Sequence, residues 1–356
     1  MDDAAQKRAK SDTKQTDSPH TFDELYSHNY RISVPNESIN AVKISPDKSK
    51  LATCSSKGKI RIYEFDSGKL LATFTEHSKG VSDIAFSPLD SNTLASCSDD
   101  MTIILWSIAK KKSIKILKKH TYHITTMKFN SKGNLLISGA ADESIVIWDL
   151  SSGQSLKTLA AHSDPISCVC LTPDDTLVVS ASYDGLMRLF DIETGQCLKT
   201  LVYNSSTHGT ATASTNDVVN FPISYVNVTP NGKYILSSSL DGKIRLWDYM
   251  NNKVMKTYTG INNSPVNSKY NSGTCFVTCT ASPIVVSGSD NSGALFWDLQ
   301  TKDIVFQLLP GSTVLDVAIC DNGERLVTCT LQGEVDVYTL APKYKLANGN
   351  HSSDKL

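Results

Sequence analysis

Serine, histidine and aspartate, the residue types of a nucleophilic triad, recur together along this chain. In such a triad the histidine accepts the serine proton and the aspartate orients the imidazole, so that the serine can attack an acyl group. The sets are His77, Ser96 and Asp100; His120, Ser138 and Asp142; and His162, Ser180 and Asp184. One enzyme does not need three copies, and no G-x-S-x-G motif accompanies them. We therefore predict a structural role, in which the aspartate partners a buried imidazole.

Cysteine is the other residue type here that could do chemistry, as a metal ligand or as a disulfide. Of the nine cysteines, Cys168 and Cys170 form C-x-C, and Cys275 and Cys279 are four positions apart. Neither spacing is the paired C-x-x-C of a zinc site. All but Cys197 are flanked by strand-like residues, so we expect buried, reduced thiols and predict neither a metal nor a cofactor.

An aromatic residue marks each copy of a repeated unit that contains these sets. The marks are Tyr63, Trp106, Trp148, Phe190, Trp247, Trp297 and Tyr338, with gaps of 43, 42, 42, 57, 50 and 41 residues. A period near 42 residues that ends in Trp-Asp is typical of the WD repeat, and seven copies predict an all-β, seven-bladed WD40 β-propeller. Trp106, Trp148 and Phe190 then complete three hydrogen-bonded tetrads.

The other copies lose parts of the polar set. Blade one has Lys57 where aspartate is expected, blade six has Asn291, and blade seven has Gln332. Blade five has no histidine before "FPISYVNV". We expect packing alone to hold these blades.

The last copy also lacks its outer strand, because only "TLAPKYKLANGNHSSDKL" follows Tyr338. The extended segment at residues 28–35, "HNYRISVP", precedes the first copy and can supply that strand, which removes both free sheet edges. The predicted propeller therefore spans residues 28–341. The polar tails at residues 1–27 and 342–356 are expected to be disordered. Residues 203–220 are predicted to form a long loop between blades four and five, either a tolerated insertion or a functional segment.

Charge and hydropathy narrow the function classes. The formal net charge is −1, which leaves no basic footprint for direct binding of nucleic acid. No apolar run is long enough to span a bilayer, and the first residues lack the apolar stretch of a signal peptide. We therefore expect an intracellular protein.

The central channel of a propeller is a candidate binding site. We expect the residues before the turn aspartates to point to its mouth: Ser56, Asp99, Ala141, Tyr183, Leu240, Asp290 and Leu331. A second ring is expected from Ser82, Thr125 and Ser167. This mouth is small, polar and mildly acidic. It could accept a small or cationic side chain of a peptide, or it could be a solvated channel without a ligand.

Several sequence segments resemble those of the WD repeat-containing protein 5 family: "HSDPIS", "SYDGLMRLFDIETGQCLKTL", "TPNGKYIL", "LDGKIRLWDY", "KTYTG" and "LQTKDIV". The likeness covers roughly residues 28–340 in register and is similar to the fungal members. It implies a nuclear, non-catalytic scaffold of a COMPASS-type complex, which methylates lysine 4 of histone H3. The implied partners are a second WD-repeat propeller subunit and a SET-domain methyltransferase, with histones contacted indirectly and no direct contact with nucleic acid or membrane.

The same resemblance implies two peptide sites. Positions that match the family's arginine-binding channel mouth are Gly80, Ser82, Asp99, Ser167 and Tyr183. The two phenylalanines that grip the arginine in the family fall on Thr125 and Ala141, so arginine binding is not expected to carry over. A groove between blades five and six, which binds a tail of the other propeller subunit, is matched by Asn231, Tyr234, Leu246 and Gln300. We expect Tyr234 and Leu246 to face outward there.

Two other function classes remain open. An adaptor of another assembly, in signalling or ubiquitin ligation, would carry an appended coiled coil or F-box-like helix, and the N-terminal residues show neither. An enzyme would need one unrepeated acid–base or nucleophile set in the channel, and we find none. We therefore favour the scaffold.

Overall fold

The computed structural model describes residues 24–203 and 220–345. Within these ranges, 28 strands form seven four-stranded antiparallel sheets. The predicted all-β, seven-bladed propeller is therefore confirmed. Much of the predicted disorder, at residues 1–23 and 346–356, and most of the predicted insertion, residues 204–219, lie outside the described residues. No helix in the described part of the chain is long and apolar enough to cross a bilayer.

The strands follow one another around the ring, beginning with a strand that belongs to the last blade. That strand is β1 (Tyr26–Ser33). Blade one contains β2 (Ile39–Ile44), β3 (Lys50–Ser55), β4 (Ile60–Glu64) and β5 (Leu70–Phe74). Blade two contains β6 (Val81–Phe86), β7 (Thr93–Ser98), β8 (Thr102–Ser107) and β9 (Lys112–Lys118). Blade three contains β10 (Ile124–Phe129), β11 (Leu135–Ala140), β12 (Ser144–Asp149) and β13 (Gln154–Ala160).

The remaining blades keep the same order. Blade four contains β14 (Ile166–Leu171), β15 (Leu177–Ser182), β16 (Leu186–Asp191) and β17 (Cys197–Val202). Blade five contains β18 (Ile223–Val228), β19 (Tyr234–Ser239), β20 (Lys243–Asp248) and β21 (Lys253–Tyr258). Blade six contains β22 (Thr274–Val277), β23 (Ile284–Ser289), β24 (Gly293–Asp298) and β25 (Ile304–Leu308). Blade seven contains β26 (Val314–Cys320), β27 (Arg325–Thr330) and β28 (Glu334–Leu340). Short 3₁₀ turns lie at Ile261–Asn263, Asp321–Gly323 and Pro342–Tyr344.

Blade seven takes its outer strand from β1, as the sequence predicts. β1 pairs antiparallel with β28, and Ile32 lies opposite Val335. The Arg31 guanidinium donates to both carboxylate oxygens of the buried Asp336, at 2.7 and 2.9 Å. His28 Nε2 lies 3.0 Å from the same carboxylate. Charge-assisted, two-pronged bonds of this kind are strong, so they help to fix the closing strand.

The ordered propeller extends further at both ends than the predicted range 28–341. Leu25 and Tyr26 are buried in a cluster with residues of blades six and seven. At the other end, Tyr344 packs against this same cluster, and Lys345 Nζ lies 2.6 Å from Glu324. The predicted start is too late and the predicted end too early, because apolar contacts continue past both boundaries.

Packing between neighbouring blades forms the core. Ile62 of blade one and Ile84 and Trp106 of blade two, for example, share one buried cluster. Full burial of a large apolar side chain contributes ~1.5–3 kcal/mol. The middle strands read as continuous apolar runs, such as residues 145–148, because neighbouring blades cover both of their faces. The outer strands alternate instead, as in β13, because only one face is covered.

Candidate functional sites

The structure brings the members of the three predicted tetrads together. In blade two, His77 Nδ1 lies 2.9 Å from Asp100 and Nε2 lies 2.7 Å from Ser96 Oγ. Trp106 Nε1 donates to the same Ser96 Oγ at 2.8 Å. Blade three repeats this geometry, with matching distances of 2.9, 2.8 and 2.9 Å among His120, Ser138, Asp142 and Trp148.

The pKa shifts assign the protons in blade two. Burial lowers the pKa of His77 and outweighs the opposing effect of Asp100, so the ring is neutral at neutral pH. Burial raises the pKa of Asp100, but hydrogen bonds from Thr102 and His77 bring it below its usual value. The ionised carboxylate therefore faces a protonated Nδ1, and Nε2 accepts the Ser96 hydroxyl proton. Ser96 is fully buried and bonded on both sides, so it serves structure rather than nucleophilic attack.

Blade four carries the same set with one partner fewer. His162 Nδ1 lies 2.9 Å from Asp184, and Nε2 lies 2.7 Å from Ser180 Oγ. Phe190 occupies the tryptophan position and has no N–H group to donate. The Ser180 hydroxyl is therefore engaged by the histidine without the indole bond of blades two and three.

Blade one replaces the tetrad with an ion-pair cluster that the sequence analysis missed. The buried Glu37 carboxylate accepts hydrogen bonds from Arg61 at 2.9 Å and Lys59 at 3.2 Å. Burial raises the pKa of Glu37, but these two cations together bring it down to about 2. Lys57 stands where the tetrad aspartate would be, and the ion pairs supply the polar cross-link instead.

Blade five uses an arginine in place of the missing histidine. The buried Arg245 guanidinium donates to the Asp241 carboxylate. It also lies 3.7 Å from the ring centroid of Tyr203, a cation–π contact. Trp247 Nε1 still donates to Ser237 Oγ at 2.8 Å, so packing alone does not hold this blade.

One sequence position carries the charged residues of these replacements. It lies two residues before the marking aromatic, and blades two and three have Ile104 and Val146 there. In blades one, four, five and seven it is charged, and the residues are Arg61, Arg188, Arg245 and Asp336. A charge in the middle of a covered strand needs a partner, and that rule could have revealed the ion pairs of Arg61, Arg245 and Asp336, whereas Arg188 donates to the Ala161 carbonyl beside an intact tetrad.

The central channel holds a cavity of about 350 Å³, which Ser82, Asp99 and Ser167 help to line. Ser82 Oγ donates to Asp99 at 3.1 Å. Ser167 Oγ instead bridges to the next blade, donating to the Ile223 carbonyl at 2.5 Å. Thr125 does the same from blade three, donating to the Ile166 carbonyl at 2.6 Å. These two hydroxyls are thus committed to contacts between blades.

The other predicted channel positions differ in their surroundings. Gly80 requires glycine, because a Cβ there would lie 2.9 Å from the Ser56 carbonyl oxygen. Tyr183 is exposed at the surface, and its hydroxyl accepts a bond from the Asn271 amide at 2.8 Å. Asp290 was expected at the mouth but is buried, because its carboxylate turns inward to accept backbone amides of residues 268 and 269. The mouth is therefore less acidic than predicted.

Charged side chains lie deeper in the channel. Lys43 pairs with Asp316, and Asp83 and Lys128 line the same cavity. Burial lowers the pKa of Lys43, but Asp316 and Asp83 outweigh it and hold the pKa above its usual value. The described residues contain no cluster of histidine, cysteine and carboxylate groups that could hold a metal ion.

The buried cysteines do not provide a reactive site in the described residues. Seven are buried, Cys320 is half-buried and Cys197 is exposed, and all nine are free thiols. Burial raises the pKa of Cys168 to about 11 and that of Cys279 also to about 11. These two thiols are therefore protonated at neutral pH, which makes them poor nucleophiles and metal ligands.

The groove between blades five and six is built differently from the expectation. Leu246 is only 4% exposed and packs in a cluster with Tyr258 and Trp297. The prediction that it faces outward is wrong, because β21 and blade six cover it. Tyr234 is half-buried against this cluster, and Gln300 is exposed at the rim. Leu246 thus forms the floor of the groove rather than its surface.

A lysine joins the two walls of this groove. Lys256 Nζ donates to the Leu299 carbonyl at 2.7 Å and to the Gln300 carbonyl and side-chain oxygen at 3.0 and 2.9 Å. Asn231 Oδ1, near the start of β19, accepts bonds from Thr229 Oγ1 at 2.7 Å and from the Lys233 amide at 3.0 Å. The Gln300 amide nitrogen points from an exposed side chain and can donate to a bound peptide.

The same lysine contact repeats around the ring. In each case a lysine of an outer strand donates to carbonyls of the hairpin turn in the following blade. The four lysines are Lys115, Lys157, Lys199 and Lys256, in blades two to five. They tie each blade to the next at the circumference.

The family model for the WDR5 β-propeller domain matches residues 31–339 of the chain. This range covers nearly all of the propeller, from β1 to β28. The chain belongs to the WDR5 β-propeller domain family. Members of this family are WD40 propellers, an architecture that typically acts as a scaffold or adaptor and carries no catalytic site.

Curated relatives of this WD40 propeller match it over shorter stretches. The nuclear distribution protein PAC1 of Yarrowia lipolytica is 31% identical over 28% of this chain and 28% of its own length. The nuclear distribution protein nudF of Aspergillus flavus is 31% identical over 30% of this chain and 24% of its own length. The Polycomb protein EED of Chaetomium thermophilum is 33% identical over 26% of this chain and 17% of its own length.

The chain spans between 17% and 28% of the length of these relatives. Matches this short reflect the repeated WD unit, which many different assemblies use. What the whole relatives do is therefore not carried over to this propeller.

Proposed function

We propose that this protein is a non-catalytic scaffold subunit of a COMPASS-type complex, which methylates lysine 4 of histone H3 in the nucleus. In this proposal it holds partner-subunit peptides, among them a tail of a second WD-repeat propeller subunit, and sits beside the SET-domain methyltransferase. The match of the WDR5 β-propeller domain along residues 31–339 supports a scaffold of this type. The observation that carries the proposal is the chemistry of the groove between blades five and six.

The groove combines an apolar surface with groups that can bond a peptide backbone. The half-buried Tyr234 ring lies over the cluster that contains Leu246, and such an aromatic on a packed floor is typical of an interface hot spot. Gln300 is held by Lys256 through its side-chain oxygen at 2.9 Å. Its amide nitrogen is thereby oriented and can donate to a peptide carbonyl. An extended apolar–acidic segment would place its apolar side chain on Tyr234 and its acidic group near Lys256.

The experiment is co-purification of the tagged protein with its partners, comparing wild type with a Tyr234→Ala, Gln300→Ala double variant. These positions are chosen over Leu246, whose burial makes its substitution a folding defect. Loss of a hot-spot ring costs about 2 kcal/mol or more, which is a loss of about thirty-fold in affinity. We expect the double variant to keep its thermal unfolding transition, to lose the propeller partner and to lower histone H3 lysine 4 methylation in cells.

A matched control comes from the adjacent groove between blades four and five. Leu177 and Met250 occupy there the positions of Tyr234 and Gln300. The Leu177→Ala, Met250→Ala variant should retain every partner. Full retention of partners by the folded Tyr234→Ala, Gln300→Ala variant would exclude the groove as the docking site. Recovery of a stable assembly without methyltransferase subunits would support the alternative, a WD40 adaptor of another complex.

A further inference from the structure

The outer strand of blade two carries an exposed stripe that differs from the rest of the ring. Along β9, Ile114 and Ile116 are 55% and 50% exposed, and Lys112 and Lys118 at the strand ends are exposed as well. A β-bulge at Ile114 shifts the register of the strand, so simple alternation of faces does not run along it, but all four side chains are open to solvent. Ser113, Lys115 and Leu117 alternate with them and are more covered. We name the four exposed residues Lys112, Ile114, Ile116 and Lys118 the blade-two stripe.

One of the two exposed isoleucines has apolar equivalents in the other outer strands, and the other does not. Ile114 sits at a β-bulge, and the equivalent bulged positions elsewhere are also exposed and apolar: Leu71, Leu156, Leu198, Met255 and Val305. Ile116 is different. The equivalent residues are polar, namely Thr73, Thr158, Thr200, Thr257 and Gln307. Among these six blades only blade two has an apolar residue at this second position, whereas blade one exposes Leu70 next to Leu71 at the start of its strand.

Positive charge surrounds the two isoleucines. Lys110, Lys111, Lys112, Lys118 and Lys119 are all exposed. In the described part of the chain none of these five forms an ion pair or a side-chain hydrogen bond. The whole chain has a net charge of −1, so this density of unpaired cations is a local feature of blade two. Lys115, in the middle of the strand, is instead bonded to the Leu150 and Ser151 carbonyls of blade three.

We propose that the blade-two stripe is a docking surface for an acidic segment of a partner protein whose carboxylates flank apolar side chains. The apolar side chains would cover Ile114 and Ile116, and the carboxylates would pair with the lysines at both ends of β9. Charge complementarity of this kind orients a partner and speeds its association. The surface lies in blade two, away from the groove of blades five and six, so it is independent of the function proposed above.

Two other uses of the blade-two stripe fit the residues less well. Lysines on an edge strand protect it from aggregation, but a protected edge has no need of a second exposed isoleucine. A nucleic acid would use the lysines for its phosphates, and it too would leave Ile116 unexplained. The bulge at Ile114 interrupts the regular edge of β9, so the contact is made by side chains rather than by addition of a strand.

The test measures binding of a fluorescein-labelled peptide in which glutamate and valine alternate, by fluorescence anisotropy at several salt concentrations. A peptide with serine in place of valine and a short duplex DNA are the comparison probes. Two variants of the full-length protein are compared with wild type. The first is Ile116→Thr, which introduces the threonine that blades one, three, four and five have at the equivalent position. The second combines Lys110→Gln, Lys111→Gln and Lys112→Gln. Leu198→Thr in blade four is the matched control, because it removes an equally exposed apolar side chain without the lysines.

We expect Ile116→Thr to weaken binding of the valine peptide at least five-fold and the triple lysine variant to weaken it and flatten its salt dependence. Leu198→Thr should leave it unchanged. Equal binding of the valine and serine peptides would overturn the proposal, since the isoleucines would then contribute nothing. Tighter binding of DNA, dependent on the lysines and not on Ile116, would overturn it in favour of a nucleic-acid surface. Absence of binding to the valine peptide would also overturn it.

Discussion

The serine shared between histidine and tryptophan allows a sharp test of the tetrads. In blade three, Ser138 Oγ lies 2.8 Å from His120 Nε2 and accepts the Trp148 N–H at 2.9 Å. Ser138→Ala removes both partners at once and leaves two buried nitrogens unsatisfied. In blade four, Ser180→Ala removes only the partner of His162, because the aromatic there is Phe190.

The magnitude follows from this count. An unsatisfied buried donor or acceptor costs ~1–3 kcal/mol. Ser138→Ala should therefore lower the free energy of unfolding by ~2–6 kcal/mol, and Ser180→Ala by ~1–3 kcal/mol. The two serines are otherwise matched, since each is fully buried and each lies within 3.5 Å of a carbonyl of the neighbouring strand.

The assay is equilibrium unfolding in urea, followed by far-ultraviolet circular dichroism, for wild type and the two alanine variants. Ser96→Ala in blade two repeats the Ser138→Ala experiment and should give the same loss. Ser152→Ala, on an exposed turn, controls for removal of a hydroxyl group. If Ser180→Ala proves as destabilising as Ser138→Ala, the indole bond contributes nothing and the tetrad argument is wrong.

Three further predictions concern closure, pH and the channel. Deletion of residues 1–23 should leave the temperature of thermal unfolding unchanged, whereas deletion of residues 1–26 should lower it, because Tyr26 is buried. Equal unfolding temperatures for the two deletions would show that the cluster at the start of β1 is dispensable. The folded-state pKa of Glu37, about 2, lies below the ordinary 4.5, so its carboxylate stabilises the fold above about pH 4.5 and this contribution is lost as the pH falls toward 2. Acid titration of wild type and Glu37→Gln should therefore show a stability difference at neutral pH that shrinks over this range, and a constant difference would contradict the assignment. Calorimetry should find at most weak binding of an arginine peptide from the methyltransferase, and Thr125→Phe with Ala141→Phe should raise its affinity; micromolar binding by wild type would refute this.

The features that could be predicted from the sequence are those that recur in several copies of the repeat. Seven aromatic marks with a nearly constant period give the number of blades, and the recurring offsets of His120, Ser138 and Asp142 give the tetrad and its bonds. Strand closure follows from one missing outer strand and one spare extended segment. Each of these predictions comes from comparing one repeat of the chain with another. None of them requires knowing which residues are in contact between blades.

The features that the sequence did not predict depend on contacts between copies. Leu246 looks like an outward residue of a strand, but the next blade covers it. Tyr26 lies in a polar stretch with no pattern, and its burial comes from residues of blade six that are distant in sequence. Arg245 pairs with Asp241 and also contacts the ring of Tyr203, which follows the last strand of blade four. A single repeat contains none of this information.

Closure of the ring by β1 has a consequence for folding during synthesis on the ribosome. Ile32 emerges early, but its partner Val335 is added about 300 residues later. At a synthesis rate of ≈ 5–20 residues per second, this separation lasts roughly 15 to 60 s. Throughout that interval the growing arc of blades has two open ends, and β1 has nothing to pair with. Open strand edges of this kind are templates for pairing with other chains, and the ring removes them only once its last blade has been translated.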